Sequence, residues 1–133
     1  MVLAHKENVG GVPTANCSNA GGISVPITAP VAGRVLVQGL ATVTIFHTNG
    51  VGDEVDLFVG QTATDCPPNY GQFGIAAAFP LVPTATWFYS LPVFGVFDVA
   101  AGNYAFFLNS ISPVGCSVCQ IRHGGLTATF MPN

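Results

Sequence analysis

Of the 133 residues only 7% are charged and half are hydrophobic, against roughly 25% charged in an ordinary soluble domain. The length suits one domain. Lys6, Arg34 and Arg122 are the only basic residues, too few for the stripe that nucleic acid demands, and no apolar run approaches the roughly 20 residues of a transmembrane helix.

A surface so poor in charge must be built of Thr, Ser, Asn, Gly and exposed apolar groups, which suits packing against other protein. Composition therefore points to assembly rather than catalysis. Sixteen Gly, ten Pro, ten Phe, three Tyr and one Trp describe a turn-rich all-β chain.

Residues 1–20 are polar and without periodicity, and Gly10-Gly11, Pro13 and Gly21-Gly22 punctuate them. They read as an N-terminal arm that docks on its own body or on a neighbouring subunit, ahead of a β-sandwich domain at 21–133. The first residues lack the apolar centre of a signal peptide, so a secreted form is expected to begin after any such leader. Asn16-Cys17-Ser18 matches a glycosylation sequon.

Period-two patterning then takes over. Val35, Val37, Ala41, Val43 and Ile45 share one face of 34–46, while Arg34, Gln38, Thr42 and Thr44 share the other. This predicts a long half-buried strand with a break at Gly39. Leu36, Leu40 and Phe46 interrupt the polar face and are candidates for contact with a second subunit. After a turn at Thr48-Asn49-Gly50, Val55, Leu57 and Val59 face inward and Glu54 and Asp56 outward.

A Pro/Gly/Asn loop over 62–74 carries Cys66. The apolar stretch 79–99 contains Pro80, Pro83 and Pro92, which rules out helix and predicts extended segments at 85–91 and 93–99. Both faces are apolar there, as in the middle of a sandwich or at an interface. Ala101-Gly102-Asn103 turns into a strand with Tyr104, Phe106 and Leu108 inside. A loop is expected at 110–115. The last strand runs over 118–131 with Leu126, Ala128 and Phe130 inside and a bulge at Gly124-Gly125.

Six to eight such strands predict an antiparallel β-sandwich, a jelly roll or an immunoglobulin-like fold. Cys66, Trp87 and Cys116 supply the immunoglobulin order, but Cys66 sits in a loop rather than a strand.

Cys17, Cys66, Cys116 and Cys119 suggest an oxidising compartment and up to two disulfides. The expected pairing joins Cys66 to Cys116 or Cys119, leaving the other to Cys17, within the chain or in a neighbour. Metal ligation through Cys116-x-x-Cys119 would have only His123 nearby, and redox use would require the motif to open a helix. Neither GxSxG nor HExxH occurs, and a regular strand would separate Cys119 from His123 by about 13 Å. No enzyme activity and no cofactor are expected. Asp53, Glu54 and Asp56 read as a solvated strand edge in preference to a calcium site. Trp87, Phe88, Tyr89 and Phe94 are candidates for an interface, or for stacking on a glycan or other ligand.

Three segments carry a family likeness: Pro30-Val31-Ala32-Gly33-Arg34-Val35-Leu36-Val37, then Phe97-Asp98-Val99-Ala100-Ala101-Gly102-Asn103-Tyr104-Ala105-Phe106, then Leu126-Thr127-Ala128-Thr129-Phe130-Met131-Pro132. Together they resemble the layout of C1q/TNF-like jelly rolls and their bacterial relatives. The resemblance implies a homotrimer serving as the head of a fibre, spore-surface or secreted adhesive protein. The four cysteines and the absence of a collagen-like stalk depart from that pattern.

The expectation is thus a secreted or particle-surface structural or adhesive subunit. It would form a homo-oligomer, a trimer or filament, through neutral and apolar surface, with the arm available to add a strand to a neighbour. A glycan- or ligand-binding module is the alternative.

Overall fold

Alternating β-branched and aromatic residues between Gly- and Pro-rich turns give strands almost throughout. The computed structural model describes residues 2–11, 13–66, 71–72, 74–116 and 119–133, with 2–11 and 71–72 described by backbone alone. In chain order the strands are β1 (Val2–Gly11), β2 (Ser18–Ala29), β3 (Gly33–His47), β4 (Asp53–Gly60), β5 (Gly71–Gln72), β6 (Gly74–Ala78), β7 (Ala85–Val99), β8 (Gly102–Val114) and β9 (Gln120–Pro132).

They form two antiparallel sheets, ordered β1-β9-β3-β7-β5 and β2-β8-β4-β6. From β1 to β4, and again from β7 to β9, each strand lies in the opposite sheet from its predecessor, and the first and last strands pair. That weave is the jelly roll. It excludes the immunoglobulin-like alternative, and no disulfide joins Cys66 to Cys116 across the sheets.

The core fills the space between the sheets. Val35, Val37, Ala41, Val43 and Ile45 of β3 are buried against Val55 and Leu57 of β4, Phe106 and Leu108 of β8, and Leu126 and Ala128 of β9. Phe97 and Phe106 meet with ring centroids 4.7 Å apart. Burying each such ring stabilises the fold by about 1.5–3 kcal/mol.

Several boundaries differ from those predicted. Strand β3 runs unbroken through Gly39, because the glycine answers a packing need. A Cβ there would lie 2.8 Å from Leu126 Cδ2 and 3.0 Å from Val93 Cγ2. Strand β7 is continuous across Pro92, which is exposed and pairs with Leu40. On its far side β7 is paired only at Phe94 and Gly95 among the described residues, and a proline is tolerated along such an edge. Only one face of β7 is buried; the other is open. Residues 110–114 extend β8 rather than forming a loop.

The register shift in β9 falls between Ile121 and His123, opposite Val43 and Thr42. It does not lie at Gly124-Gly125. Gly124 is needed because a Cβ would collide with Ile23 and come within 3.1 Å of Leu108. Strand β4 lies between β8 and β6, so the acidic cluster is not on a sheet edge. Finally, residues 2–11, which carry no periodicity, form β1 along β9 of the same chain, with Val2 opposite Ala128 and Glu7 opposite His123.

Candidate assembly face

Antiparallel register puts directly opposed residues on the same face of a sheet. Along β3 the outward positions Arg34, Leu36, Gln38, Leu40, Thr42 and Phe46, with Thr44, which is itself buried, therefore align with residues on the same side of β7. Gln38 faces Phe94, Leu40 faces Pro92 and Thr44 faces Phe88. Phe88 is 69% exposed, Leu40 55%, Phe94 41% and Phe46 37%. On the β9 side Leu40 faces Gly125, which has no side chain, and Thr42 faces His123.

That missing side chain leaves the Leu40 side chain standing beside a groove of about 340 Å³, lined by Gln38, Gly39, Gly125 and Thr127. A smaller hollow of about 130 Å³ lies toward Thr42 and His123. Arg34 and Asp98, opposed at one end of the face and 3.8 Å apart, form an exposed ion pair of little energetic weight. Between that pair and Phe46 the outward residues of β3 and β7 are uncharged.

The residues proposed for an interface or for stacking divide between two faces. Phe88 and Phe94 lie on the outer face with Leu40. Trp87 and Tyr89 sit at the inward-facing positions opposite Ile45 and Val43. The Tyr89 hydroxyl donates to the Ala77 carbonyl at 3.0 Å, and Trp87 is 36% exposed at the rim. The four rings therefore form no single platform.

The cysteines pair as Cys17–Cys66 and Cys116–Cys119, which corrects the expected connectivity. Cys119 N–H donates to Cys116 O at 3.2 Å, so these two cysteines lie close to each other. Cys66 is held elsewhere. The Asn109 amide donates to the carbonyls of Thr62 and Asp65, folding the segment after β4 over β8. Ser18 is paired with Ser110 across the other edge of β8, so Cys17 is the cysteine within reach.

A polar cluster that the sequence did not reveal lies beside the second disulfide. His47, at the end of β3, and Asp53, at the start of β4, are both buried. His47 Nδ1–H donates to Asp53 Oδ2 at 2.9 Å, and His47 Nε2 lies 3.0 Å from the Val82 carbonyl. Asp53 Oδ1 accepts the Cys116 N–H at 2.9 Å. Asp53 is thus a buried structural acceptor and not part of a solvated edge. The spacing of His47 and Asp53 around the Asn49-Gly50 turn was the available signal, but nothing in the sequence tied them to Cys116.

Asp56 is half-buried on β4. Its pKa is pushed up to about 6, first by burial, then by the charge of Glu54, then by a hydrogen bond with Glu54. No helix among the described residues is long and apolar enough to cross a membrane.

Fold and face together define an all-β jelly roll in which the outward residues of β3 and β7 are uncharged between the Arg34–Asp98 pair and Phe46 and partly apolar. No family model matches the chain, and no curated protein matches it in sequence. Among solved structures it is similar to the tripod (BppUct-A-L) from the baseplate of bacteriophage Tuc2009. The TM-score is 0.54 at 16% identity, over 99% of this chain and 64% of that one. The likeness is one of fold, and this chain spans less than two thirds of that protein's length.

Proposed function

We propose that the chain is a non-catalytic structural subunit of an extracellular or particle-surface assembly, self-associating through the outer face of β3 and β7. One observation carries this reading: Leu40, Phe46, Phe88 and Phe94 are exposed together on one face. Leu40 stands diagonal to Phe94, and Phe46 to Phe88, across the β3–β7 register, and monomers seldom leave large apolar groups gathered this way in water. Covering this face with a second copy removes apolar surface at about 25 cal/mol per Å², and between the Arg34–Asp98 pair and Phe46 the outward residues of β3 and β7 bring no charge into the contact.

Two further points support the reading. The similar solved fold belongs to a baseplate tripod, a particle-surface assembly. The C1q/TNF-like resemblance supplies the finer expectation of a homotrimer heading a fibre or adhesive structure; the strand order β1-β9-β3-β7 over β2-β8-β4-β6 supports the jelly roll on which that expectation rests. Two disulfides suit an oxidising exterior.

The test places charge in the face. Leu40→Glu combined with Phe94→Lys leaves the core untouched and should convert the assembly to monomer in size-exclusion chromatography with light scattering. An unchanged mass with unchanged folding would move the interface elsewhere.

A further inference from the structure

We propose that Cys116, Cys119 and Asp53 form a redox-gated site for a thiophilic divalent cation of the zinc class. The Sγ atoms of both cysteines and a carboxylate oxygen of Asp53 all lie within 4.8 Å of one another, and all three residues are buried. Donors around a tetrahedral zinc, at about 2.0–2.3 Å from the metal, stand roughly 3.3–3.8 Å apart. The two sulfurs, joined in the disulfide, must part on reduction, and the carboxylate must draw in, for the three donors to close on one ion. No other trio of His, Cys, Asp or Glu donors is so gathered among the described residues.

The carboxylate is already aimed. Asp53 Oδ2 is fixed by His47 at 2.9 Å and Oδ1 by the Cys116 N–H at 2.9 Å, and each oxygen keeps a lone pair for a metal. The Val82 carbonyl lies 3.0 Å from the other ring nitrogen of His47. Such outer hydrogen bonds orient metal ligands and tune their affinity.

The backbone of the connector adds an independent observation. Cys116 has φ of 67° and Gly115 φ of 58°. A non-glycine residue in the left-handed region is uncommon, and such strain clusters at functional sites. At Gly115 a Cβ would collide with the Gly52 carbonyl and lie 3.0 Å from Asp53 Oδ1. The connector is thus clamped against the carboxylate. Asp53 also lines a hollow of about 310 Å³ with Gly52, Phe79, Pro80 and Val114.

The oxidation state of the cysteines sets the gate. In the disulfide form Asp53 is the lone anionic donor. A dithiol reductant breaks the Cys116–Cys119 bond, is itself oxidised to a disulfide, and leaves two thiols. Binding M²⁺ then forms two sulfur–metal bonds and releases two protons to solvent. The same connector is held by a covalent bond under oxidising conditions and by a metal under reducing ones.

The test uses the full chain, reduced with a phosphine, titrated with Co²⁺ and then displaced by Zn²⁺. Wild-type protein should take one equivalent of Co²⁺ with the ligand-field and thiolate charge-transfer bands of a tetrahedral site. The oxidised protein and the Cys116→Ser/Cys119→Ser variant, which keeps Cys17 and Cys66, should show neither. Asp53→Asn retains an oxygen that accepts the Cys116 N–H and should weaken binding about tenfold or more. Absence of the bands in reduced wild type, equal bands in the double cysteine variant, or undiminished affinity in a folded Asp53→Asn protein would each overturn the proposal. If Asp53→Asn does not fold, the comparison of wild type with the double cysteine variant decides.

Discussion

His47 and Asp53 form a buried pair, Nδ1 to Oδ2 at 2.9 Å, that joins the last residue of β3 to the first residue of β4. These strands belong to opposite sheets, so the pair spans the sandwich at the point where the chain crosses over. Breaking a buried pair by removing one partner is costly because the other stays buried without compensation. Asp53→Ala also strands the Cys116 N–H. It is expected to cost about 3–5 kcal/mol in denaturant unfolding, and Asp53→Asn distinctly less. A loss below about 1 kcal/mol for Asp53→Ala would mean that water replaces the carboxylate.

Asp56 gives stability a pH dependence of uncommon sign for a carboxylate. Its folded pKa is raised from 3.8 to about 6, chiefly by burial, so the folded state holds the proton more tightly than the unfolded chain. The contribution is fully present below pH 3.8 and is lost as pH rises through about 6. Wild type minus Asp56→Asn, measured by denaturant unfolding at several pH values, should show stability falling across that window. A flat difference would mean that the native carboxyl is solvated.

The two disulfides should differ in weight. Cys17–Cys66 spans 49 positions and Cys116–Cys119 only 3. Loop-closure entropy then assigns about 4 kcal/mol to the first and about 2 kcal/mol to the second. Cys17→Ser/Cys66→Ser is expected to lower the unfolding midpoint more than Cys116→Ser/Cys119→Ser. The reverse order would show that the clamp on Asp53 outweighs loop closure.

Much of the sandwich was legible because alternation in a half-buried strand is dictated by the pleat. Val35, Val37, Ala41, Val43 and Ile45 were assigned to the core, and all are buried. Leu40 and Phe46, which break the polar side of the same strand, are exposed beside Phe88 and Phe94. What depends on three-dimensional neighbours was not legible. Gly39 looks like a strand breaker until Leu126 and Val93 are seen beside it. The cysteine pairing rests on the Asn109 amide holding residues 62 and 65, and the environment of Asp53 rests on Cys116, 63 residues further along the chain. Neither leaves a local pattern.

On the proposed function, the chemistry of the face also accounts for how so few charges are tolerated. The nearly uncharged stretch 76–120 carries only Asp98, and it includes β7, where Phe88 and Phe94 point outward. In an assembly those rings are covered, and solubility no longer depends on scattered surface charge.

The central claim is self-association, and solution mass across a concentration series tests it most directly. Light scattering or sedimentation velocity on the intact, oxidised protein should give a stable multiple of the 13.7 kDa chain mass, a threefold value if the finer trimer reading holds. A mass of 13.7 kDa that persists at high concentration would contradict the account.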